Sequence, residues 1–257
     1  MKLPVRYQVM QSCGPDDNVE GNIAHETTTL DLRPAETAVV LVDTWAGHPI
    51  KSHLERTNNI VINRIRPAIE AARAGGATVI YAPSPRVAPD FNSFRHDASQ
   101  TSPPHVYEAD WPPPDYRAAS GRFISLRKRD GERPNNFQGP TPEWWEMRGI
   151  QPEITPIPGD VVVGTGTELH DACKTRGLLH LVYAGFATNI CVRFRDYGMR
   201  GMRDRGYSPI LLRDATSAIE TRATISSLGL TRAVILDMER WYYTALTDDL
   251  ISAFECN

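Results

Sequence analysis

The chain has 257 residues, of which 41% are hydrophobic and 23% are charged, values typical of a soluble globular protein. Its formal net charge of −3 gives no reason to expect nucleic acid or a membrane surface as a partner. The first residues lack the apolar core of a signal peptide, and no run approaches the roughly 18 apolar residues of a membrane span, so we expect a cytoplasmic protein. The cysteines have neither disulfide nor metal spacing and are expected to be reduced thiols: Cys13, Cys173, Cys191 and Cys256.

The first third of the chain predicts strands and a helix. Short edge strands are predicted at residues 6–10 and 27–32. Residues 37–43, TAVVLVD, form an apolar run typical of a strand at the centre of a parallel sheet. Apolar periodicity predicts a helix over residues 60–74, and a second buried strand follows at residues 77–82.

Asp43 ends the predicted central strand. In doubly wound α/β folds, ligands bind beyond the carboxyl ends of strands, so an acid here is a candidate proton carrier, and a helix cap is the alternative. Together with Asp43, His48 and His53 could suggest a metal site. Their five-residue spacing does not place both on one helical face, so we expect no metal, and solvated or substrate-facing histidines.

Residues 83–158 break the alternation of strands and helices. They hold most of the 20 prolines and the basic cluster Arg127-Lys128-Arg129. A stretch of this length with little periodicity is usually functional. We expect it to form a lid, a pocket wall or a subunit interface within a single domain spanning residues 1–257.

Residues 159–163 predict a short buried strand, which leads through Gly164-Thr165-Gly166 into a helix ending at Gly177. The two glycines suggest a dinucleotide-binding turn, but Leu169 stands where that motif has its third glycine. A strand-to-helix turn eased by glycine is the simpler interpretation, and no cofactor is expected.

Residues 178–214 predict a strand, a tight turn, a helix beginning at Cys191 and another strand, which is a βαβ unit. A thiol at a helix N-terminus ionises more easily, because that end carries partial positive charge. Free backbone N–H groups at the same end can stabilise an oxyanion. Cys191 is therefore a candidate nucleophile, and the alternative is a small buried side chain without chemistry.

Three segments together resemble the isochorismatase-like cysteine hydrolase family. They are residues 37–43, residues 158–163 (PGDVVV) and residues 185–192 (GFATNICV). The resemblance covers less than half of the chain and is most specific around Cys191. It implies a three-layer, doubly wound α/β fold with a mostly parallel six-stranded sheet in the order 3-2-1-4-5-6, and homodimers or homotetramers whose sites a neighbouring subunit can complete.

The amidases of this family use an aspartate, a lysine and a cysteine, which makes Asp43 the general acid/base and Cys191 the nucleophile. The resemblance also implies a cis peptide bond before the cysteine, at Ala187–Thr188 in this chain. The turn of Ala187, Thr188 and Asn189 is then expected to contact the substrate and its oxyanion.

The family's lysine is missing from its expected place, which holds Gly164. Lys128 is a candidate replacement, with Arg127, Arg129 or a residue of a neighbouring subunit as alternatives. Trp45 stands where the family often has glutamine or asparagine, and with His48 it is expected to shape an unusual pocket. The Asp-x-His metal motif of nicotinamidases is also absent after the second strand.

These observations predict a hydrolase that cleaves a C–N bond of a small amide, ureido or carbamoyl compound through a thioester on Cys191. Two alternatives remain. The missing lysine allows a catalytically altered member that binds a small metabolite or serves in an assembly. The other is an isochorismate-type vinyl ether hydrolase, although the retained cysteine argues against it.

Overall fold

The computed structural model describes residues 1–12, 14–96, 113–117, 120–124 and 149–256. These residues form one sheet of eight strands in the order β2-β1-β8-β7-β6-β3-β4-β5. The strands are β1 Lys2–Met10, β2 Ile23–Asp31, β3 Thr37–Val42, β4 Thr78–Ala82, β5 Val161–Val162, β6 His180–Phe186, β7 Ile210–Ser217 and β8 Tyr243–Ala245. The six strands β3 to β8 lie next to one another in the sheet, and all neighbours among them are parallel. Strand β1 pairs antiparallel with both β2 and β8.

The predicted α/β class with a mostly parallel sheet is confirmed, but the predicted count of six strands is wrong. The two additional strands, β1 and β2, form an N-terminal hairpin that extends the sheet beyond β8. The sequence predicts only two short, separate edge strands in this region. Leu3 and Val5 are fully buried on one face of β1, so the hairpin has its own alternating apolar positions.

Helices cover both faces of the sheet. They are α1 Lys51–Ile60, α2 Arg66–Ala74, α3 Pro114–Arg117, α4 Gly166–Arg176, α5 Cys191–Phe194, α6 Met199–Arg203, α7 Gly229–Met238 and α8 Thr247–Glu255. Along β3, Val39 and Leu41 belong to one apolar cluster, and Val40 and Val42 belong to the other. Successive strand residues face opposite sides, so a strand between two helical layers is apolar throughout.

The predicted helix after Cys191 is wrong in its length. It is replaced by the two short helices α5 and α6, separated by Asp196, Tyr197 and Gly198. The Asp196 carboxylate accepts hydrogen bonds from the Gly166 N–H at 2.7 Å and from the Tyr197 N–H at 3.0 Å. This contact with the start of α4 ends the first helix after four residues.

The helix predicted over residues 60–74 consists of a π-helical turn, Val61–Ile65, followed by α2, and α1 precedes both. Within the ranges that the structure describes, no helix is both long and apolar enough to cross a membrane.

Candidate active site

The central strands β3 and β6 end side by side at the point where the strand order reverses. Val42 pairs with Gly185, so Asp43 and Phe186 follow at the same edge of the sheet. Gly185 has a φ of 114°, and a Cβ at this position would collide with the Val42 carbonyl. Ligands bind at such an edge in doubly wound folds, and the close approach of the two strands fixes its geometry.

Three side chains meet at this edge. Cys191 begins α5 just beyond β6, and Arg195 follows it by four residues. Arg195 Nε lies 3.7 Å from Asp43 Oδ2, and the Cys191 thiol interacts with both groups. The side chain of Asp43 is 1% exposed and that of Arg195 is 38% exposed, so the guanidinium reaches from the surface to a buried carboxylate.

Four buried side-chain atoms have no hydrogen-bond partner among the described residues, and they belong to only three residues. They are both carboxylate oxygens of Asp43, Nε of Arg195 and Nε2 of His53. Buried polar atoms are nearly always hydrogen-bonded in folded proteins. A concentration of exceptions at one edge of the sheet therefore indicates a site for a polar ligand.

The Cys191 thiol is protonated at neutral pH. Burial raises the pKa of the thiol to about 12, the negative charge of Asp43 acts in the same direction, and Arg195 opposes both. The sequence prediction of an easily ionised thiol is wrong, because α5 has only four residues and its terminal charge is outweighed by burial and by Asp43.

Burial also raises the pKa of the Asp43 carboxyl group. Arg195, Cys191 and the Ser84 backbone N–H lower the pKa of Asp43 but do not offset burial. A carboxylate with a raised pKa beside a protonated thiol is suited to accept the proton of that thiol.

The turn before Cys191 contains a cis peptide bond at Phe186–Ala187, one residue earlier than the sequence predicts. The Ala187 carbonyl accepts hydrogen bonds from the Ile190 N–H at 3.0 Å and the Val192 N–H at 3.2 Å. In the described part of the chain, the Cys191 N–H between them has no acceptor. It is therefore available to an oxyanion that forms at the thiol.

Thr188 and Asn189 support the turn. The Thr188 N–H donates to the Ser217 carbonyl at 3.1 Å, and its hydroxyl lies 2.7 Å from the Thr216 hydroxyl. The Asn189 Oδ1 accepts from the Ile219 N–H at 3.1 Å. These groups of Thr188 and Asn189 join the turn to the end of β7, and the predicted contact of the two residues with the substrate or its oxyanion stays a prediction.

Trp45, His48, His53 and Phe186 form a group of rings beside Asp43, here called the ring group. The Trp45 ring lies 4.7 Å from the His48 ring and 6.1 Å from the Phe186 ring. The His48 and His53 rings are 5.0 Å apart. In the residues covered by the structure, no three His, Cys, Asp or Glu side chains come together as metal ligands.

The two histidines are uncharged at neutral pH. Burial lowers the pKa of His48 to about 4 and that of His53 to about 3. The sequence predicts that these histidines are either solvated or face a substrate. For His53 the solvated alternative is excluded, because its side chain is only 1% exposed.

Lys128, Arg127 and Arg129 lie outside the described residues. The space next to Gly164, where the resemblance expects a lysine, holds Arg95, whose Nη2 would be 3.0 Å from a Cβ on Gly164. Arg95 donates two hydrogen bonds to Glu168, at 3.0 and 2.6 Å. The cation found beside Asp43 is Arg195, which sequence reasoning missed. Its four-residue spacing from Cys191 would place the two on one face of a continuous helix, but α5 ends at Phe194, so the spacing does not identify Arg195.

Both described ends of the proline-rich excursion border this edge. Ile150 forms an antiparallel bridge with Trp45, and the His96 N–H donates to the Val162 carbonyl at 3.0 Å. Most of the excursion lies outside the described residues, so its role as a lid or interface stays a prediction.

The family model of the isochorismatase domain matches residues 37–240. The chain belongs to the isochorismatase family. Ureidoacrylate amidohydrolase RutB of Agrobacterium fabrum is 27% identical over 202 residues, which cover 73% of this chain and 78% of that protein. Ureidoacrylate amidohydrolase RutB of Methylobacterium radiotolerans is 28% identical over 200 residues, which cover 72% of this chain and 68% of that protein.

Two solved structures have a fold similar to that of this chain. A cysteine hydrolase from Pseudomonas syringae pv. phaseolicola has a TM-score of 0.53 at 18% identity and covers 88% of this chain and 95% of its own. An isochorismatase-like hydrolase from Alkaliphilus metalliredigens has a TM-score of 0.50 at 16% identity, and the match covers 85% of this chain and 99% of the hydrolase chain.

Proposed function

We propose that the protein is a cysteine hydrolase that cleaves a C–N bond of a small ureido, carbamoyl or related amide compound through a thioester. The chain is a hydrolase acting on non-peptide C–N bonds, in keeping with its family and with relatives named ureidoacrylate amidohydrolase. The observation that carries the mechanism is the buried contact of Asp43, Cys191 and Arg195, with three polar atoms lacking partners among the described residues.

The reaction begins with the protonated thiol. Cys191 Sγ attacks the substrate carbonyl carbon while Asp43 accepts the thiol proton, and the electron pair of the C=O bond moves onto oxygen. The Cys191 N–H donates to this oxyanion. When the oxyanion collapses, the C–N bond breaks and Asp43 passes its proton to the leaving nitrogen.

Water then cleaves the thioester. Asp43, again a carboxylate, takes a proton from the attacking water, the C–S bond breaks, and the proton returns to the Cys191 sulfur. The enzyme is thereby restored with a neutral thiol, and one water has been consumed for each C–N bond cleaved.

Arg195 stabilises the charges of these steps. A guanidinium stays protonated throughout the physiological pH range, so it cannot carry the proton, but it stabilises Asp43 when that group is ionised. The missing lysine was the main reason to expect a catalytically altered binding or assembly protein. A cation beside Asp43 weakens that alternative, and Cys191 beside Asp43 favours amide chemistry over vinyl ether hydrolysis.

The test is ammonia release from simple amides, ureas and N-carbamoyl amino acids. We expect turnover by the wild-type protein and none by Cys191→Ala, while Cys256→Ala, which removes an exposed thiol at the C-terminal end of α8, keeps full activity. Turnover that survives Cys191→Ala would refute the thioester mechanism.

The role of Arg195 is tested on the same substrates. Arg195→Met should lower kcat about 100-fold, the usual effect of losing one charge-stabilising group, and Arg195→Lys should retain more activity. Arg193→Met is the matched control, because Arg193 lies in α5 only two residues before Arg195 but pairs with Asp237. Equal losses in the two Met variants would mean that the helix and not the Asp43 contact matters.

A further inference from the structure

The fourth unpartnered buried atom, Nε2 of His53, has no part in the mechanism above. His53 lies in the first turn of α1 and is 1% exposed. Its ring is 5.7 Å from the Trp45 ring and 6.4 Å from the Phe186 ring. Trp45 follows Asp43 by two residues and Phe186 precedes the cis peptide bond, so His53 borders the candidate active site.

Arg56 determines which nitrogen of His53 carries the proton. Arg56 Nη2 lies 3.0 Å from His53 Nδ1, and a guanidinium can only donate, so Nδ1 is the acceptor. The neutral ring therefore carries its proton on Nε2. Because burial lowers the pKa of His53 to about 3, the ring remains in this neutral form at physiological pH.

Arg56 is held in place behind the ring. Its Nε donates to the Ser217 hydroxyl at 2.8 Å and its Nη2 to the Ala218 carbonyl at 3.2 Å. Ser217 also accepts the hydrogen bond from the turn before Cys191. The guanidinium charge is thus fixed relative to the nucleophile and acts on the site through the His53 ring.

Glu220 is the acidic group whose negative charge affects the pKa values of both Arg56 and His53. Its carboxylate accepts from the Thr231 N–H at 2.9 Å and from the Thr231 hydroxyl at 2.6 Å. Its carboxylate is therefore engaged elsewhere, and within the described residues nothing accepts a hydrogen bond from the Nε2–H of His53.

We propose that His53 is a specificity-determining residue. Its Nε2–H donates a hydrogen bond to an oxygen at the non-reacting end of the substrate, and the Arg56 charge behind the ring favours a carboxylate oxygen. The preferred substrates are then small ureido or amide acids, not neutral amides. The inference rests on the proposed function, because it assigns the substrate end opposite to the C–N bond that Cys191 attacks.

The test uses Cys191→Ala, which binds without turnover, and calorimetric titration with N-carbamoylglycine and its uncharged amide. We expect the acid to bind more tightly. Adding His53→Phe, which removes the donor, should weaken binding of the acid about 10- to 100-fold, the effect of losing one hydrogen bond to a charged group. His53→Gln, whose side-chain amide donates from a similar distance, should restore most of the affinity.

His170→Gln is the matched control, since His170 is an exposed histidine that contacts Tyr207 and lies on α4. It should bind both compounds like Cys191→Ala alone. Equal binding of the acid and its amide, or an unchanged affinity in His53→Phe, would overturn the proposal. Circular dichroism melting of each variant separates loss of the donor from loss of the fold.

Nitrogen NMR of the histidine rings gives a readout that does not depend on turnover. The His53 proton is expected on Nε2 at pH 7, with a shift of that signal when N-carbamoylglycine is added. A proton on Nδ1 overturns the proposal. If wild-type protein binds the acid with this signature but releases no ammonia, the hydrolase proposal fails and the assignment of His53 stands.

Discussion

The charge of Asp43 affects Cys191 in two opposite ways. In the resting protein it raises the pKa of the thiol, together with burial, and so keeps the sulfur protonated. During attack, the same carboxylate accepts the thiol proton and makes the sulfur nucleophilic. The ionisation of the resting thiol and the rate of turnover should therefore respond differently when that charge is removed.

Asp43→Asn should make the thiol more reactive and the enzyme less active. Without the negative charge, the pKa of Cys191 falls, so alkylation by iodoacetamide at pH 8 is faster than in the wild type. Without the proton acceptor, turnover falls about 100-fold or more. Mass spectrometry measures alkylation of Cys191, with exposed Cys256 in the same molecule as the reference. Slower alkylation in Asp43→Asn would contradict this account.

The neutral histidines should make the fold sensitive to acid. The ordinary pKa of histidine is about 6.5, whereas His48 and His53 have values of about 4 and about 3. Between about pH 6.5 and pH 4 the unfolded chain binds protons that the folded chain does not bind. Stability therefore falls as pH falls, by up to about 1.4 kcal/mol per pH unit for each histidine.

Urea unfolding at pH 7.5 and pH 5.0 measures this effect. His53→Gln cannot titrate, so the difference in the free energy of unfolding between the two pH values should shrink. His170→Gln, on the surface of α4, should leave the difference as it is in the wild type. An undiminished pH dependence in His53→Gln would mean that other groups cause the acid sensitivity.

Some site residues could be identified from the sequence because their position follows from strand ends. Asp43 and Cys191 each come just after a run of buried strand residues. Arg195 could not be assigned, because the direction of its side chain depends on α5 ending at Phe194: the φ of −58° and ψ of 155° at Arg195 are not helical. A role for His53 could not be assigned either. The contact with Arg56 that fixes the proton on Nε2 depends on the burial of both side chains, which the sequence does not show.

At the scale of secondary structure, the geometry of the site depends on the close contact between strands β3 and β6. Gly185→Ala should destabilise the protein by about 3 kcal/mol or more, because its positive φ is unfavourable for alanine and the added Cβ collides with the Val42 carbonyl. Gly206→Ala is the matched control, because Gly206 has a similar φ of 95° but no atom within 4 Å of the added Cβ. Gly206→Ala should lower the free energy of unfolding by only about 1 kcal/mol, which is the effect of a positive φ at alanine alone.

The free energy of unfolding in urea distinguishes the two contributions. If both glycine variants lose the same stability, backbone conformation alone explains the effect and the close approach of the strands does not. Gly185→Ala protein that remains folded should also lose turnover, since Asp43 and the cis peptide lie at the ends of the two displaced strands.

Contacts between distant parts of the chain limit what periodicity predicts at this scale. The apolar spacing after Cys191 predicts one helix, but Asp196 bonds to Gly166, 30 residues earlier, and divides it. The strands β3, β4 and β6 have no such interruption, and their apolar runs indicate their positions closely. Local pattern therefore predicts the centre of the sheet better than the helices that border the site.

At the scale of the whole molecule, the sequence does not predict where the N-terminal hairpin joins the sheet. Apolar alternation indicates strands in this region, but the choice of an edge depends on contacts with residues more than 200 positions away. Arg6 pairs with Thr244 in β8, and the Arg6 Nε donates to Glu239. The predicted homodimer or homotetramer stays a prediction.

Glu239 connects the hairpin to the rest of the protein. Its side chain is fully buried, and its carboxylate contacts Arg6 at 2.7 Å, His25 at 2.7 Å and the Thr244 hydroxyl at 2.7 Å. These partners lie in β1, β2 and β8, and Glu239 itself follows α7. Arg6 and His25 are 32% and 35% exposed, so water partly replaces the carboxylate when Glu239 is removed, but the buried Thr244 hydroxyl loses its partner.

Glu239→Ala should therefore lower the free energy of unfolding by about 2 kcal/mol, the scale of losing hydrogen bonds to a charged group. The control is Asp31→Ala, which removes an exposed ion pair with Lys2 in the same hairpin and should cost less than about 1 kcal/mol. Urea unfolding measures both, and turnover per folded molecule should be unchanged in both because the ion pairs and hydrogen bonds of Glu239 and Asp31 within the described residues do not include Asp43, Cys191 or Arg195. A small loss in Glu239→Ala would mean that main-chain pairing and the burial of Leu3 and Val5 hold the hairpin, since those contacts do not depend on the carboxylate.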